Sequence, residues 1–150
     1  MRIEVAKPPN FERILEVFPL AAQAGVIFAF GDVIYNPSGV GIPRALRAHE
    51  EAHGLRQREA GVTEWWDAYL KDPAFRYIEE CAAHAAELYE LNARLPSHDR
   101  NERARNLMRT AIRLTAPLYG YSKGQQTIKD ALKDLKRELR TIEEHRYYDI

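Results

Sequence analysis

The chain has 150 residues, of which 45% are hydrophobic and 29% are charged, as is typical of one soluble globular domain. The 22 basic and 22 acidic residues cancel to a formal charge of zero, so no excess of positive charge favours nucleic acid as a partner. No apolar run approaches the roughly 20 residues of a membrane span, and Cys81, as the single cysteine, excludes an intrachain disulfide. We therefore expect one domain over residues 1–150, in a cytoplasmic protein that binds neither membrane nor nucleic acid.

The first part of the chain predicts one short helix and one β-hairpin. Residues 1–9 end in two prolines and predict an irregular or extended start. Asn10 suits the N-cap of a helix whose apolar residues recur at helical spacing (Phe11, Ile14, Leu15 and Phe18). The apolar runs 26–30 and 33–35 flank Gly31-Asp32, a pair typical of a two-residue type II′ turn. This hairpin is the only β-structure that the sequence predicts.

The rest of the chain predicts further helices, so the expected fold is mainly α. Pro43 suits the first turn of a helix that runs to about Arg58, with an apolar core face at Ala45, Ala48, Ala52 and Leu55. A second helix would run from Asp72 to about Arg94, with an apolar stripe formed by Ile78, Cys81 or Ala82, Ala85 and Leu88. Two more would cover residues 99–114 and 123–145. Between the first two, Trp65 and Trp66 would pack in the core or line a substrate cleft.

The most informative stretch is His49-Glu50-Glu51-Ala52-His53, an H-E-x-x-H pentapeptide. Two histidines four residues apart lie about one turn from each other on one helix face, so both can reach one metal ion. Glu50 lies about 100° further round the helix, beside the position where a water molecule would bind the metal. A zinc-bound water has a pKa of about 7, and a neighbouring carboxylate can accept its proton. The spacing therefore predicts two zinc ligands, His49 and His53, and a general base, Glu50.

A catalytic zinc site usually has three protein ligands, so one more is expected. The extended motif that supplies a third histidine is absent, because position 59 is Glu. The predicted helix over 72–94 offers Glu79, Glu80 and His84 instead. Glu79 and Glu80 point about 100° apart on that helix, so only one of them can face the metal.

The H-E-x-x-H motif, followed 27 residues later by Glu80-Cys81-Ala82-Ala83-His84, resembles the gluzincin branch of the zincin metallopeptidases. There a glutamate on a second helix, commonly in an E-x-x-A setting, completes the zinc site. The resemblance implies Zn²⁺ as cofactor, His49, His53 and Glu80 as its ligands, and Glu50 as catalytic base. Glu79 is also followed three residues later by an alanine, so it stays an alternative to Glu80.

Residues 26–135 also resemble small metallopeptidases of phage and prophage type. The matching pieces are the predicted hairpin, the aromatic block 65–70, the pair 75–76 and the stretch 117–120. This resemblance implies chemistry and names no substrate.

These features predict a minimal zincin-like helical domain, mainly α with one short β-hairpin beside the H-E-x-x-H helix, that hydrolyses peptide bonds. A peptide or protein substrate would lie along the Val33–Tyr35 edge by strand addition. The candidates for stabilising the oxyanion are Tyr119, Tyr121 and His98. The candidates for orienting the ligand histidines are Asp32, Asp67 and main-chain carbonyls.

Two alternatives use the same residues. In one, zinc only supports the structure of a binding or assembly protein, such as a phage-encoded one, and a fourth ligand such as His84 closes the site. In the other, the chain binds no metal and is a plain helical domain. Glu50 separates the peptidase from the first alternative, because a structural site needs no free carboxylate beside its ligands. The oligomeric state stays open, since the last helix can pack on its own domain or against a partner.

Overall fold

The computed structural model describes residues 1–120 and 127–148. Over these residues the α-helices are α1 (Phe11–Val17), α2 (Arg44–Ala60), α3 (Val62–Lys71), α4 (Pro73–Ala93), α5 (Arg100–Leu114) and α6 (Ile128–Tyr148). The strands are β1 (Arg2–Glu4), β2 (Phe28–Phe30) and β3 (Val33–Tyr35), and short 3-10 helices cover Pro19–Ala22 and Pro117–Tyr119. The prediction of a mainly α fold with a small β component is confirmed. The predicted beginning of the last helix, residues 123–126, lies outside the described residues.

Strands β2 and β3 form the predicted hairpin. Phe30 pairs with Val33 across Gly31-Asp32, and Gly31 has a φ of 65°. No described residue other than glycine has a positive φ, so Asp32 has a negative one. That combination fits a type II′ turn and excludes type I′, which needs a positive φ at both central residues.

The prediction that β-structure is confined to the hairpin is wrong. β1 pairs in parallel with β3, and the strand order β1-β3-β2 places β3 in the middle of the sheet. The expected substrate edge at Val33–Tyr35 is therefore wrong as well, because both sides of β3 are already hydrogen-bonded. Residues 1–5 do alternate between apolar and polar, but the run is short and soon followed by two prolines, so an irregular or extended start was all that the sequence predicted there.

Helix α2 buries a polar face and leaves the predicted alanine stripe only partly covered. Its buried residues are His49, Glu50, His53, Gly54 and Gln57, whereas Leu55 is 52% exposed. The apolar pattern misled here because α2 turns its polar face toward α4 and β2, against which it packs. A Cβ at Gly54 would lie 2.9 Å from the carbonyl oxygen of Gly31, so glycine permits this close approach.

Helix α4 lies at the centre of the helical part. It contacts α2, α3, α5 and α6, and it begins as predicted, with the Asp72 side chain accepting a hydrogen bond from the N–H of Ala74. By contrast, the predicted cap residue Asn10 makes no capping hydrogen bond. Cys81 is buried as expected, but Ile78 is 58% exposed. The buried surface of α4 includes charged residues, so the apolar stripe alone did not predict which residues of α4 are buried.

Two apolar clusters lie on either side of the α2–α4 contact. One joins α1, α3 and β2 through residues such as Phe11, Phe28 and Trp65, and the other joins α4, α5 and α6 through residues such as Leu114 and Leu135. Across the described ranges, no helix combines the length and the apolar character needed to cross a membrane.

Candidate metal centre

Helices α2 and α4 run antiparallel and bring the two predicted ligand segments together. Arg44 at the start of α2 pairs with Glu90 near the end of α4 at 3.2 Å, and Arg56 near the end of α2 pairs with Glu79 near the start of α4 at 2.6 Å. Between these two pairs, the H-E-x-x-H residues of α2 face the 80–87 stretch of α4.

His49, His53 and Glu80 form a buried triad. His49 Nε2 lies 3.3 Å from Glu80 Oε2, and His53 Nε2 lies 3.1 Å from Glu80 Oε1. Ligands about 2.1 Å from one ion at tetrahedral angles lie about 3.4 Å from each other. The three side chains thus have the spacing of ligands to a single metal ion.

Glu79 and Glu80 point in different directions, as helix geometry requires. The Glu79 carboxylate accepts two hydrogen bonds from Arg56, at 2.6 and 2.8 Å, and one from Trp65 Nε1 at 2.9 Å. Glu80 instead faces the histidines and accepts a hydrogen bond from the Tyr69 hydroxyl. The structure therefore places Glu80, and not Glu79, beside His49 and His53.

Glu50 lies next to this triad. Its Oε1 is 4.0 Å from His49 Nε2, and it is buried. Burial raises the pKa of the Glu50 carboxyl above its usual value, although the two histidines and a hydrogen bond from the main-chain N–H of Ala29 act in the opposite direction. A carboxyl group with a raised pKa beside a possible reaction centre has the character of a proton acceptor and donor.

The charges of the triad stabilise one another when no metal is bound. Burial disfavours the charged form of His49, but the carboxylates of Glu80, Glu87 and Glu50 outweigh it and raise the His49 pKa to about 10. Burial also disfavours ionised Glu80, yet His53 and His49 hold the pKa of its carboxyl well below the usual value. Within the triad, Glu80 Oε2, His49 Nδ1 and His53 Nδ1 are buried and make no hydrogen bond in the structure.

The unpartnered Glu80 Oε2 provides a test of whether a metal ion fits the site. Buried polar atoms usually have partners, because leaving one unpaired costs about 1–3 kcal/mol. An ion between the two Nε2 atoms and the Glu80 carboxylate would give Glu80 Oε2 its missing partner. The nitrogen and oxygen donor set, with its spacing, fits Zn²⁺.

Glu87 is a site residue that the sequence analysis missed. Its Oε2 lies 3.3 Å from His49 Nδ1 and 3.2 Å from His84 Nδ1, and its Oε1 pairs with Arg113 at 2.8 Å. One carboxylate oxygen thus contacts the Nδ1 atoms of two histidines. Its position was detectable in principle, because residue 87 follows residue 80 by two helical turns on the same face.

His84 and Tyr119 form a hydrogen-bonded pair beside the triad. Tyr119 Oη lies 2.9 Å from His84 Nε2, while His84 Nε2 is 3.7 Å from Glu80 Oε2. Burial and the charge of His49 lower the pKa of His84, so its ring is neutral. With Nδ1–H directed at Glu87, the other nitrogen accepts a hydrogen bond from the Tyr119 hydroxyl.

Several predicted partners lie elsewhere. Asp67 pairs with Arg13 at 2.7 Å on the surface, and His98 is exposed. Asp32 is in the hairpin turn, where its carbonyl accepts a hydrogen bond from the N–H of Arg2. Of the residues proposed for the oxyanion, only Tyr119 is in contact with the site, and Tyr121 lies outside the described residues.

A cavity of about 320 Å³ opens beside the triad. Its polar lining is formed by the triad, Glu50, Gln57, His84, Glu87, Arg113 and Tyr119, and its apolar lining includes Ile14, Phe18, Ile27, Phe28, Trp66 and Leu118. Trp65 and Trp66 both line it, so the two tryptophans pack in the core and border the cleft. Ligand pockets typically have this composition of apolar walls with a few converging polar groups.

Comparison of the chain with family models, with curated proteins and with solved structures gives no match. The function is therefore inferred from the geometry of the site.

Proposed function

We propose that the protein is a zinc-dependent metallopeptidase with His49, His53 and Glu80 as ligands and Glu50 as general base. The observation that carries the proposal is the position of Glu50. It lies beside the triad and lines the same cavity, yet it is not one of the three converging ligands. A site that served only to hold the fold together would need no such carboxylate.

A bound Zn²⁺ would act as a Lewis acid and lower the pKa of a water molecule to about 7. The residues of the chain would supply the remaining steps. Glu50 would accept the proton of the attacking water and pass it to the leaving amine. Glu87 would hold the His49 ring in place through Nδ1, and Tyr69 would do the same for the Glu80 carboxylate.

Tyr119 is the group best placed to act on the substrate. Its hydroxyl lies at the cavity wall and donates to His84 Nε2. Turning the same O–H toward a substrate carbonyl would stabilise the negative charge that develops there. The partner of this enzyme would then be a peptide whose scissile bond lies between the triad and Tyr119.

The proposal is tested by the Glu50→Gln variant. Metal content is measured by elemental analysis and hydrolysis with a panel of blocked peptides. We expect about one zinc per chain in both proteins and a loss of hydrolysis of about 100-fold or more in the variant, the usual effect of removing a general base. Equal rates in the two proteins would exclude Glu50 as the base.

The rival is a structural zinc site in a binding or assembly protein, and the distance of 3.7 Å between His84 Nε2 and Glu80 Oε2 favours it. A closed site would use His84 as a fourth ligand. The His84→Ala variant separates the two functions. A structural site would lose its zinc, whereas the peptidase would keep it and lose rate.

A further inference from the structure

Side chains of α2 form hydrogen bonds with the main chain along the outer edge of β2, next to the cavity. Gln57 Nε2 donates to the Ala29 carbonyl at 2.9 Å, and Gln57 Oε1 accepts from the N–H of Gly31 at 2.8 Å. Arg58 donates to the Gly31 carbonyl at 2.7 Å, and the Ala29 N–H lies close enough to the Glu50 carboxyl to lower the pKa of that group. Three of these main-chain groups, Ala29 O, Gly31 N and Gly31 O, therefore have hydrogen-bond partners within the protein.

These groups are the ones that a bound strand would use. Asp32 O and Asn36 N bond to β1, so Ile34, which lies between them, also turns its main-chain groups toward β1. Val33 and Tyr35 therefore bond to Phe30 and Phe28 of β2. It follows that Ala29, opposite Ile34, directs its N–H and C=O away from the sheet, where an added strand would lie.

The other two strands offer no alternative site for an added strand. β3 lies between β1 and β2, and β1, at the far side of β3, does not line the cavity. At about 320 Å³, the cavity is at the small end of the roughly 300–1,000 Å³ of small-molecule pockets. Its apolar part has room for a bulky side chain, and the β2 edge beside it is already bonded to α2 at Ala29 O and at both main-chain groups of Gly31.

We propose that the substrate is a short peptide or similar small amide with a bulky apolar group, and not an extended polypeptide held by strand addition. This inference rests on the proposed function, because it concerns the substrate of the same site. The recognition energy would come from the apolar group in the cavity. Main-chain pairing along β2 would contribute nothing until Gln57 and Arg58 were displaced.

Binding tests the inference separately from hydrolysis. The probes are N-acetyl-Phe-Leu-amide and a peptide of about twelve residues with Phe-Leu at its centre and small polar residues around it, long enough to add a strand. Both are titrated by calorimetry into zinc-loaded Glu50→Gln protein, which cannot consume them if Glu50 is the base. We expect the short amide to bind at least about tenfold more tightly, which is about 1.4 kcal/mol. Equal or tighter binding of the long peptide, or no binding of the short amide, would overturn the inference.

Two variants free main-chain groups at the edge of β2. Gln57→Ala frees Ala29 O and Gly31 N, and Arg58→Ala, at an exposed position, frees Gly31 O with little risk to folding. Arg58→Ala should tighten binding of the long peptide several-fold and leave that of the short amide unchanged, whereas Gln57→Ala, which also alters the cavity lining, should tighten binding of the long peptide relative to that of the short amide. The matched control is Arg44→Ala on the same helix, because within the described residues Arg44 forms its ion pair with Glu90, away from the edge of β2. Unchanged binding of the long peptide in both variants would contradict the role assigned to the edge.

Turnover by the wild-type protein then tests whether the protein is a peptidase. Hydrolysis of the short amide that depends on Glu50 supports both the peptidase proposal and its substrate class. A clear binding preference for the short amide without any hydrolysis would refute the peptidase proposal and leave the preference of the cavity for small apolar ligands in place.

Discussion

At the scale of single residues, Glu79 and Glu80 are neighbours in the chain but take part in different interactions. Glu80 contacts both histidines, whereas Glu79 bonds to Arg56 and Trp65. We expect Glu80→Ala to weaken zinc binding by more than the roughly 10–100-fold that follows the loss of a group that merely orients a ligand. Zinc titration with a competing chelator measures this directly.

Glu79→Ala is the matched control for that substitution. It should bind zinc normally but lose about 2 kcal/mol of unfolding free energy, because Arg56 and the buried Trp65 N–H lose a charged acceptor. Urea denaturation of the zinc-free proteins measures this loss. A Glu79→Ala protein that lost its zinc while Glu80→Ala kept it would reverse the assignment of the ligand.

Glu87 is expected to increase the zinc affinity of the site without being a ligand of the metal. The Glu87→Gln change keeps the size of the side chain but removes the charge that faces His49, His84 and Arg113. Zinc affinity should fall about 10–100-fold, as is usual for a carboxylate that orients a ligand histidine. Glu90→Gln, one turn further along α4 and paired with Arg44, should leave the affinity unchanged.

The motif residues could be predicted from the sequence because their chemistry follows from spacing along one helix. The roles of Glu87 and Tyr119 depend on how separate elements pack, and no local pattern encodes that. Tyr119 was one of three candidates for the oxyanion, and only the fold brings it to within 2.9 Å of His84.

At the scale of elements, α4 and α6 are joined by a polar contact within an apolar interface. Tyr77 donates to Asp134 at 2.7 Å, and burial together with Asp134 raises the pKa of the Tyr77 hydroxyl above its usual value. A raised pKa in the folded state means that Tyr77 stabilises the fold fully below about pH 10, the unfolded value. This contribution is lost as the pH rises beyond it, because the unfolded chain then ionises first.

The Tyr77→Phe variant tests this pH dependence. At pH 8 it should be about 1 kcal/mol less stable than the wild type, the usual value of one hydrogen bond. Near pH 11 the difference should shrink or vanish, because ionisation of Tyr77 in the unfolded wild type costs about 1.4 kcal/mol per pH unit. Urea denaturation at both values measures it, and a constant difference would contradict the assigned pKa shift.

The elements that the sequence predicted well carry strong local signals. The Gly-Asp turn specified the hairpin, and Asp72-Pro73 specified the beginning of α4. The prediction missed β1, although residues 1–5 alternate between apolar and polar, and it failed on α2, where an apolar stripe indicated the wrong buried face. Polar residues are rarely buried unless paired, so a helix that buries two histidines and a glutamate defeats a rule based on hydrophobicity.

At the scale of the whole molecule, a bound metal would connect α2 and α4, which share the most extensive contact between two elements in the described part of the chain. The two apolar clusters do not depend on it, so the helices should persist after chelation. We expect the circular dichroism spectrum to stay helical, while zinc at about 1,000 times its dissociation constant adds about 4 kcal/mol and raises Tm by roughly 10 °C. Thermal melting with zinc and with EDTA checks this, and identical curves would argue against a metal in the folded protein.

The aromatic wall of the cavity has a practical consequence. The chain has 2 tryptophans, both line the cavity, and the Trp65 ring centroid lies 5.3 Å from that of His53. Intrinsic tryptophan fluorescence therefore originates entirely from the wall of the cavity beside the candidate metal centre, with no background from distant tryptophans. Cobalt in place of zinc should quench this emission, and an apolar ligand entering the cavity should shift it, so occupancy can be followed in unlabelled protein before any substrate is known.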